Sequence, residues 1–136
     1  MHKMIISTVA IVVLLLGFSS PTIDARAETE VIPLDQPPSL MEKAFLRSLG
    51  ETIFDVMRHH GDHQLFEFGR IEEITGDDPY DVTLSVIGFE GPHNPPHKFI
   101  RMTLRIPGKA EADYTVLSYS HRHLSRKEYR KLTQYR

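Results

Sequence analysis

Seven of the eight histidines in this chain fall into three groups whose spacing could support metal or acid–base chemistry. The groups are His59, His60 and His63; His93 and His97; and His121 and His123. His59 and His63 have the i, i+4 spacing of helical metal ligands, but Gly61 lies between them and favours the end of a helix. Because imidazole alone does not select a metal, the sequence predicts no metal site and no cofactor.

Carboxylates and serines form no arrangement that is typical of an active site. Glu72–Glu73 and Asp77–Asp78 are adjacent pairs, but neighbours in a strand face opposite sides and aspartate is common in turns. Ser85 lies in no G-x-S-x-G turn. The chain has no cysteine, which excludes disulfides and a thiol nucleophile. We therefore predict no catalytic residues and a non-enzymatic protein; the alternative is a small metal-dependent or hydrolytic enzyme that uses histidine and carboxylate side chains.

The most unusual segment is a proline-rich loop, Phe89 to His97, which holds three prolines and one glycine. Such a connection is stiff, non-helical and longer than a minimal hairpin requires. Rigid loops on a scaffold often carry recognition, whereas turn residues often serve only their own backbone, and both roles are open. The candidate binding residues are Glu90, Gly91, His93, Asn94, Pro95 and Pro96.

Charge is uneven, because residues 121–136 hold six basic residues and one acidic residue, whereas residues 28–120 hold 16 acidic and 8 basic ones. This basic tail can pack on the acidic body as a helix, or it can contact an anionic polymer or lipid of the cell envelope. The formal net charge of the whole chain is −2, which argues against nucleic acid as a partner. The partner is otherwise unknown.

The N-terminus predicts export. A positive start at residues 1–3 precedes an apolar run at residues 4–18, and Ala25-Arg26-Ala27 has the A-x-A form of a signal-peptide cleavage site. The run is shorter than the ~18–20 residues that span a bilayer, and no second apolar stretch follows. We expect residues 1–27 to be a cleavable signal peptide, and the protein to be secreted or associated with the cell surface.

Helical periodicity begins after a proline-containing linker at residues 28–38. Ser39 to Glu42 is a capping box, and Gly61 fits the position after a helix. Apolar residues then recur every four positions, at Met41, Phe45, Leu49, Ile53 and Met57. The pattern predicts one long amphipathic helix from Leu40 to His60, with Phe45, Ile53 and Met57 buried.

Alternating patterns predict four strands, at residues 65–75, 80–89, 99–106 and 114–120. Pairing Val86 with Ile100 keeps the apolar faces together and sets Asp81 opposite Arg105. A second capping box, Ser125 to Glu128, starts a helix. The predicted fold is α+β: one long N-terminal amphipathic helix packed on a four-stranded antiparallel meander at residues 39–120, then a basic tail at residues 121–136 with a short basic C-terminal helix.

The segment Phe89–Pro96, followed by an alternating strand, resembles the core motif of an uncharacterised family of small exported proteins from Gram-positive spore-formers. The family layout is similar: a signal sequence, one helix, and strands that flank such a segment. The resemblance covers about residues 39–120 and implies export and fold but no activity, because the family is a domain of unknown function. This chain departs from the family at His59-His60-Gly61, where members resemble Tyr-Tyr-Gly, and its basic tail lies outside the pattern.

Overall fold

Five antiparallel strands in chain order form the frame of the protein. The computed structural model describes residues 27–136, so the expected signal peptide lies outside the described residues except for Ala27. The strands are β1 (Thr29–Val31), β2 (Leu65–Gly76), β3 (Tyr80–Glu90), β4 (Asn94–Ile106) and β5 (Thr115–Leu124), and each pairs antiparallel with the next. The helices are α1 (Leu40–Ser48), α2 (Gly50–His59) and α3 (Arg126–Thr133).

The prediction of one long helix from Leu40 to His60 is wrong, because two short helices meet at Leu49. The Ser48 hydroxyl donates to the Phe45 carbonyl at 2.6 Å, which competes with the helical hydrogen-bond pattern. Gly50 follows and has the weakest helix propensity after proline. The apolar spacing continues across this break, and periodicity alone therefore did not reveal it.

The prediction of four strands is also wrong, because β1 adds a fifth within the segment expected to be a linker. Thr29 pairs with Thr75 and Val31 pairs with Glu73, and the prolines of this segment come only after β1. Three residues are too few to show strand alternation. At the other edge, β5 runs to Leu124, four residues into the region that was assigned to the tail.

The predicted register of β3 and β4 is confirmed. Val86 pairs with Ile100, and Asp81 pairs with Arg105. The Arg105 guanidinium donates from Nε and Nη2 to the two Asp81 carboxylate oxygens, at 2.8 and 2.9 Å. This hydrogen bonding, together with the Coulomb attraction, outweighs desolvation and lowers the pKa of Asp81.

Helices α1 and α2 cover one face of the sheet. Ile53 and Met57 are fully buried, as predicted, against strand residues such as Leu84 and Met102. Phe45 is only half-buried at the margin of this core, contrary to the prediction. The break at Leu49 separates Phe45 on α1 from the two buried residues on α2.

The second face of the sheet is covered by α3 and the residues that follow it. Ser85, Ile87 and Phe89, which alternate with the core positions of β3, are also buried. The Tyr129 ring meets Phe68 edge-on, with ring centroids 6.4 Å apart. Strand β3 is therefore buried on both faces, and the C-terminal residues are part of the fold.

Candidate functional site

The proline-rich loop is shorter than expected, because most of it belongs to the two strands. Glu90 pairs with Asn94, and only residues 91–93 connect β3 to β4. The surplus residues form a bulge in β4, where residues 95–97 oppose Phe89 alone. A bulge suits this position because proline has no N–H to donate to the ladder. The loop expected from Phe89 to His97 is therefore corrected to a three-residue turn followed by a bulge.

His93 holds the turn together. Gly91 and His93 have φ values of 56° and 60°, which glycine adopts readily and other residues adopt rarely. The His93 ring stacks on Phe89 with centroids 4.6 Å apart, and its Nδ1 hydrogen-bonds the Glu67 carboxylate. These two contacts stabilise the turn, and the side chain also faces solvent because it is 68% exposed.

The loop and the basic tail meet at a small pocket, which we call the loop–tail pocket. Its volume is about 250 Å³. Pro95 and His97 line it from the loop side, and Arg126, Tyr129 and Arg130 are among the residues that line it from the tail. The imidazole of the buried His97 stacks on the Tyr129 ring with centroids 3.8 Å apart. Of the six predicted binding residues, Pro95 alone lines this pocket.

The basic tail is a docked helix with a cationic outer face. On its inner side, the Tyr129 hydroxyl donates to the Glu67 carboxylate at 2.9 Å; burial and then this carboxylate raise the pKa of Tyr129. The outer face carries four exposed basic side chains. Within residues 27–136, none of these four forms an ion pair: Arg126, Lys127, Arg130 and Lys131.

The end of the tail is fixed by the buried Arg70 and the half-buried Arg136. Arg70 donates from Nη1 to the Tyr135 carbonyl at 2.7 Å, and Arg136 donates from Nη2 to the Ser85 hydroxyl at 2.9 Å. Truncation after Ser120 would remove these contacts and the last four residues of β5. Such a truncation would disturb folding, so surface substitutions are the cleaner way to test the tail.

Asp62 is the centre of a polar cluster that sequence reasoning missed. Its fully buried carboxylate accepts hydrogen bonds from Lys98 Nζ at 2.6 Å, from the Tyr119 hydroxyl at 2.5 Å and from His121 Nδ1 at 2.5 Å. Burial alone raises the pKa of Asp62, but these three donors outweigh it and lower the pKa to about 2. The partners come from β4 and β5, so no local spacing indicates them.

The cluster places a proton on one ring nitrogen of His121. Because ionised Asp62 can only accept, His121 carries a proton on Nδ1, and its side chain is 48% exposed. Across residues 27–136, no three His, Asp or Glu side chains are placed to hold a metal ion. None of the helices in that range is long and apolar enough to cross a membrane.

Comparison with known family models, curated proteins and solved structures gives no match for this chain. The resemblance of residues 39–120 to the uncharacterised family of exported proteins stays an expectation.

Proposed function

We propose that this chain is an exported, non-enzymatic binding module that holds an anionic polymer of the cell envelope through the loop–tail pocket and the cationic face of α3. One observation carries the proposal: Arg126 and Arg130 line a concavity whose other wall is Pro95 and His97. The two surfaces that the sequence offered as separate candidates thus share one pocket. The A-x-A motif and the short apolar run at residues 1–27 support export.

The side chains around the pocket suit a carboxylate or phosphate group. Arg126 and Arg130 are one helical turn apart and lie on the same face. A guanidinium donates two parallel N–H groups to such an anion, which gives direction as well as attraction. The stacked rings of His97 and Tyr129 hold the pocket wall rigid. Lys127 and Lys131 lie on the same outer face, so a chain with repeated anionic groups can contact both pairs.

A matched pair of double variants separates pocket recognition from general charge attraction. We would measure binding of the mature protein to polyphosphate and polyglutamate, as phosphate and carboxylate probes, at several salt concentrations. R126Q/R130Q and K127Q/K131Q each remove two positive charges from the same helix. A charged hydrogen bond contributes ~1.5–3 kcal/mol, so R126Q/R130Q should weaken binding by at least about tenfold more than K127Q/K131Q.

Two results would contradict this proposal. An equal loss of affinity in both variants would show that the charge of the helix binds and that the pocket does not. Unchanged affinity in both variants would exclude this surface altogether. Unfolding midpoints equal to that of the wild type would show that the variants are folded, which is expected because the four side chains are exposed.

The alternative function is a small hydrolytic enzyme, and the Asp62–His121 pair is the observation that favours it. A carboxylate that orients a histidine through Nδ1 leaves Nε2 able to accept a proton from an attacking water. Hydrolysis of p-nitrophenyl acetate by the wild type, with loss of that hydrolysis in H121A, would support this alternative over the binding module.

A further inference from the structure

A second concavity lies where two irregular backbone positions face each other. One is the break between α1 and α2 at Leu49 and Gly50. The other is a bulge in β2, where Phe68 and Gly69 together oppose Val86 of β3. The space between them is a groove of about 320 Å³, near the lower end of the ~300–1,000 Å³ that is usual for small-molecule sites. We call it the break–bulge groove.

The floor and walls of this groove are apolar. Ile53 and Val86 are fully buried beneath it, and Leu46 and Phe66 stand half-buried at its sides. A hydrocarbon chain laid against Leu46 and Phe66 would be removed from water on one side, which is favourable in proportion to the apolar area that is covered.

Three cations surround this apolar surface. Lys43 and Arg47 are exposed on α1, and Arg136 reaches the groove from the C-terminal segment. None of the three takes part in an ion pair within the described part of the chain. One acidic residue, Glu67, also lines the groove, but its carboxylate is already bonded by Tyr129 and His93.

Arg136 has no carboxylate bonded directly to it within the described residues. Its guanidinium donates only to uncharged oxygens, namely the carbonyls of Phe68 and Ser85 and the Ser85 hydroxyl. Burial, and after it repulsion by Arg70, lowers the pKa of Arg136 to about 10. Glu72 and Glu42 raise this pKa and so offset the two effects only in part. An anion at the groove would oppose both effects further.

We infer that the break–bulge groove binds a fatty acid of medium chain length. The acyl chain would lie on Leu46 and Phe66, over a closed floor formed by Ile53 and Val86, and the carboxylate would face Lys43, Arg47 and Arg136. The small volume favours a medium chain, and the charge complementarity favours an acid over a neutral lipid. This inference does not depend on the loop–tail pocket, whose residues are different.

The test uses decanoate as the probe and decanol as its uncharged match, both below their aggregation limits, with binding followed by calorimetry at pH 8. Wild type should bind decanoate at least about tenfold more tightly than decanol, and K43Q/R47Q should lose that difference. K127Q/K131Q removes the same charge from α3 and should bind decanoate like the wild type.

A steric variant locates the ligand within the groove. A Cβ at Gly69 would lie 3.3 Å from the Leu46 methyl groups and 3.6 Å from Val86 Cγ1. Because this is a tight contact with Leu46, Gly69→Val must displace the Leu46 side chain and so changes the apolar wall, while it leaves all three cations. It should abolish binding of both probes while the protein still unfolds cooperatively.

Three outcomes would overturn the inference. They are no saturable binding of decanoate to the wild type, equal affinity for decanoate and decanol, and an equal loss of decanoate affinity in K43Q/R47Q and K127Q/K131Q. If Gly69→Val fails to fold, the comparison of the two charge variants still decides the matter.

Discussion

Replacing Glu42 should destabilise this protein more than replacing any other charged residue of α1, α2 or α3. The reason is that Glu42 is the counter-charge of a buried arginine. Arg70 is 1% exposed and Glu42 is 7% exposed. Arg70 Nε and the Ile71 backbone N–H both donate to the same Glu42 carboxylate oxygen at 2.9 Å. Glu42 therefore forms only half of the predicted capping box: Ser39 accepts from the Glu42 N–H, but the Glu42 side chain turns toward β2.

Arg70 also holds two other segments. Its Nη2 donates to the Pro33 carbonyl at 2.8 Å, and its Nη1 donates to the carbonyls of Gln36 and Tyr135 at 2.9 and 2.7 Å. One guanidinium thus fastens α1, the segment after β1 and the C-terminal segment to β2. Loss of its counter-charge should weaken all three attachments together.

The expected magnitude follows from what remains after the substitution. In Glu42→Ala the guanidinium stays charged and buried with carbonyl partners only, and breaking a buried pair in this way costs ~3–5 kcal/mol. Total stability for a domain of this kind is ~5–15 kcal/mol. Glu42→Gln keeps an oxygen for the two donors and loses only the charge, so its cost should be smaller, at ~1.5–3 kcal/mol.

Urea unfolding followed by circular dichroism measures these costs, and Glu51→Ala is the matched control. Glu51 occupies the first turn of α2, as Glu42 does in α1, but it is exposed. Both substitutions lose the interaction with the helix dipole, worth ~0.3–1 kcal/mol, and only Glu42→Ala loses a buried partner. A difference between the two below about 1 kcal/mol would refute the assignment of Glu42 as the essential counter-charge.

Two further predictions concern acid stability and the core. The pKa of Asp62 is lowered from 3.8 to about 2 in the folded protein. The stability that this carboxylate contributes is therefore complete above about pH 4 and is lost as pH falls toward 2. The urea midpoints of wild type and Asp62→Asn should differ at pH 6 and converge near pH 2; a difference between the two midpoints that stays constant with pH would contradict this. Ile53→Ala should cost ~2–5 kcal/mol, and Phe45→Ala should cost less than Ile53→Ala because Phe45 is only half-buried. Equal unfolding midpoints for the two variants would contradict this order.

The parts of the fold that the sequence predicted are those with a local physical cause. Alternation of apolar and polar residues in β3 and β4 determines which face is buried, and a slip of one residue would have set Val86 and Ile100 on opposite faces. This is why the register of β3 and β4 could be predicted from the sequence. The capping residue Ser125 likewise marks the start of α3, where its hydroxyl accepts from the Glu128 N–H at 3.2 Å.

The parts that it did not predict depend on contacts between distant residues. Residues 33–36 are held because their carbonyls accept from Arg70, which is more than thirty positions away. The tail docks because Tyr129 reaches Glu67, which lies 62 residues earlier. Both candidate surfaces, the proline segment and the basic tail, were identified from composition, but their meeting at one pocket depends on these long-range contacts.

The bulge in β2 is where the backbone departs from the regular hydrogen-bond pattern of the sheet, and both arginines of the C-terminal attachment lie beside it. Phe68 takes a φ of 52° there, and its carbonyl accepts from Arg136 Nη1 at 2.5 Å. Arg70, directly after the bulge, is buried. Arg70 and Arg136 thus lie beside the same backbone irregularity. Among the described residues, Glu42 is the only acidic side chain that forms an ion pair with either of these two arginines. The excess positive charge next to an apolar groove is the feature that a regular strand would not have created, and it is the physical reason to expect an anionic ligand at this position.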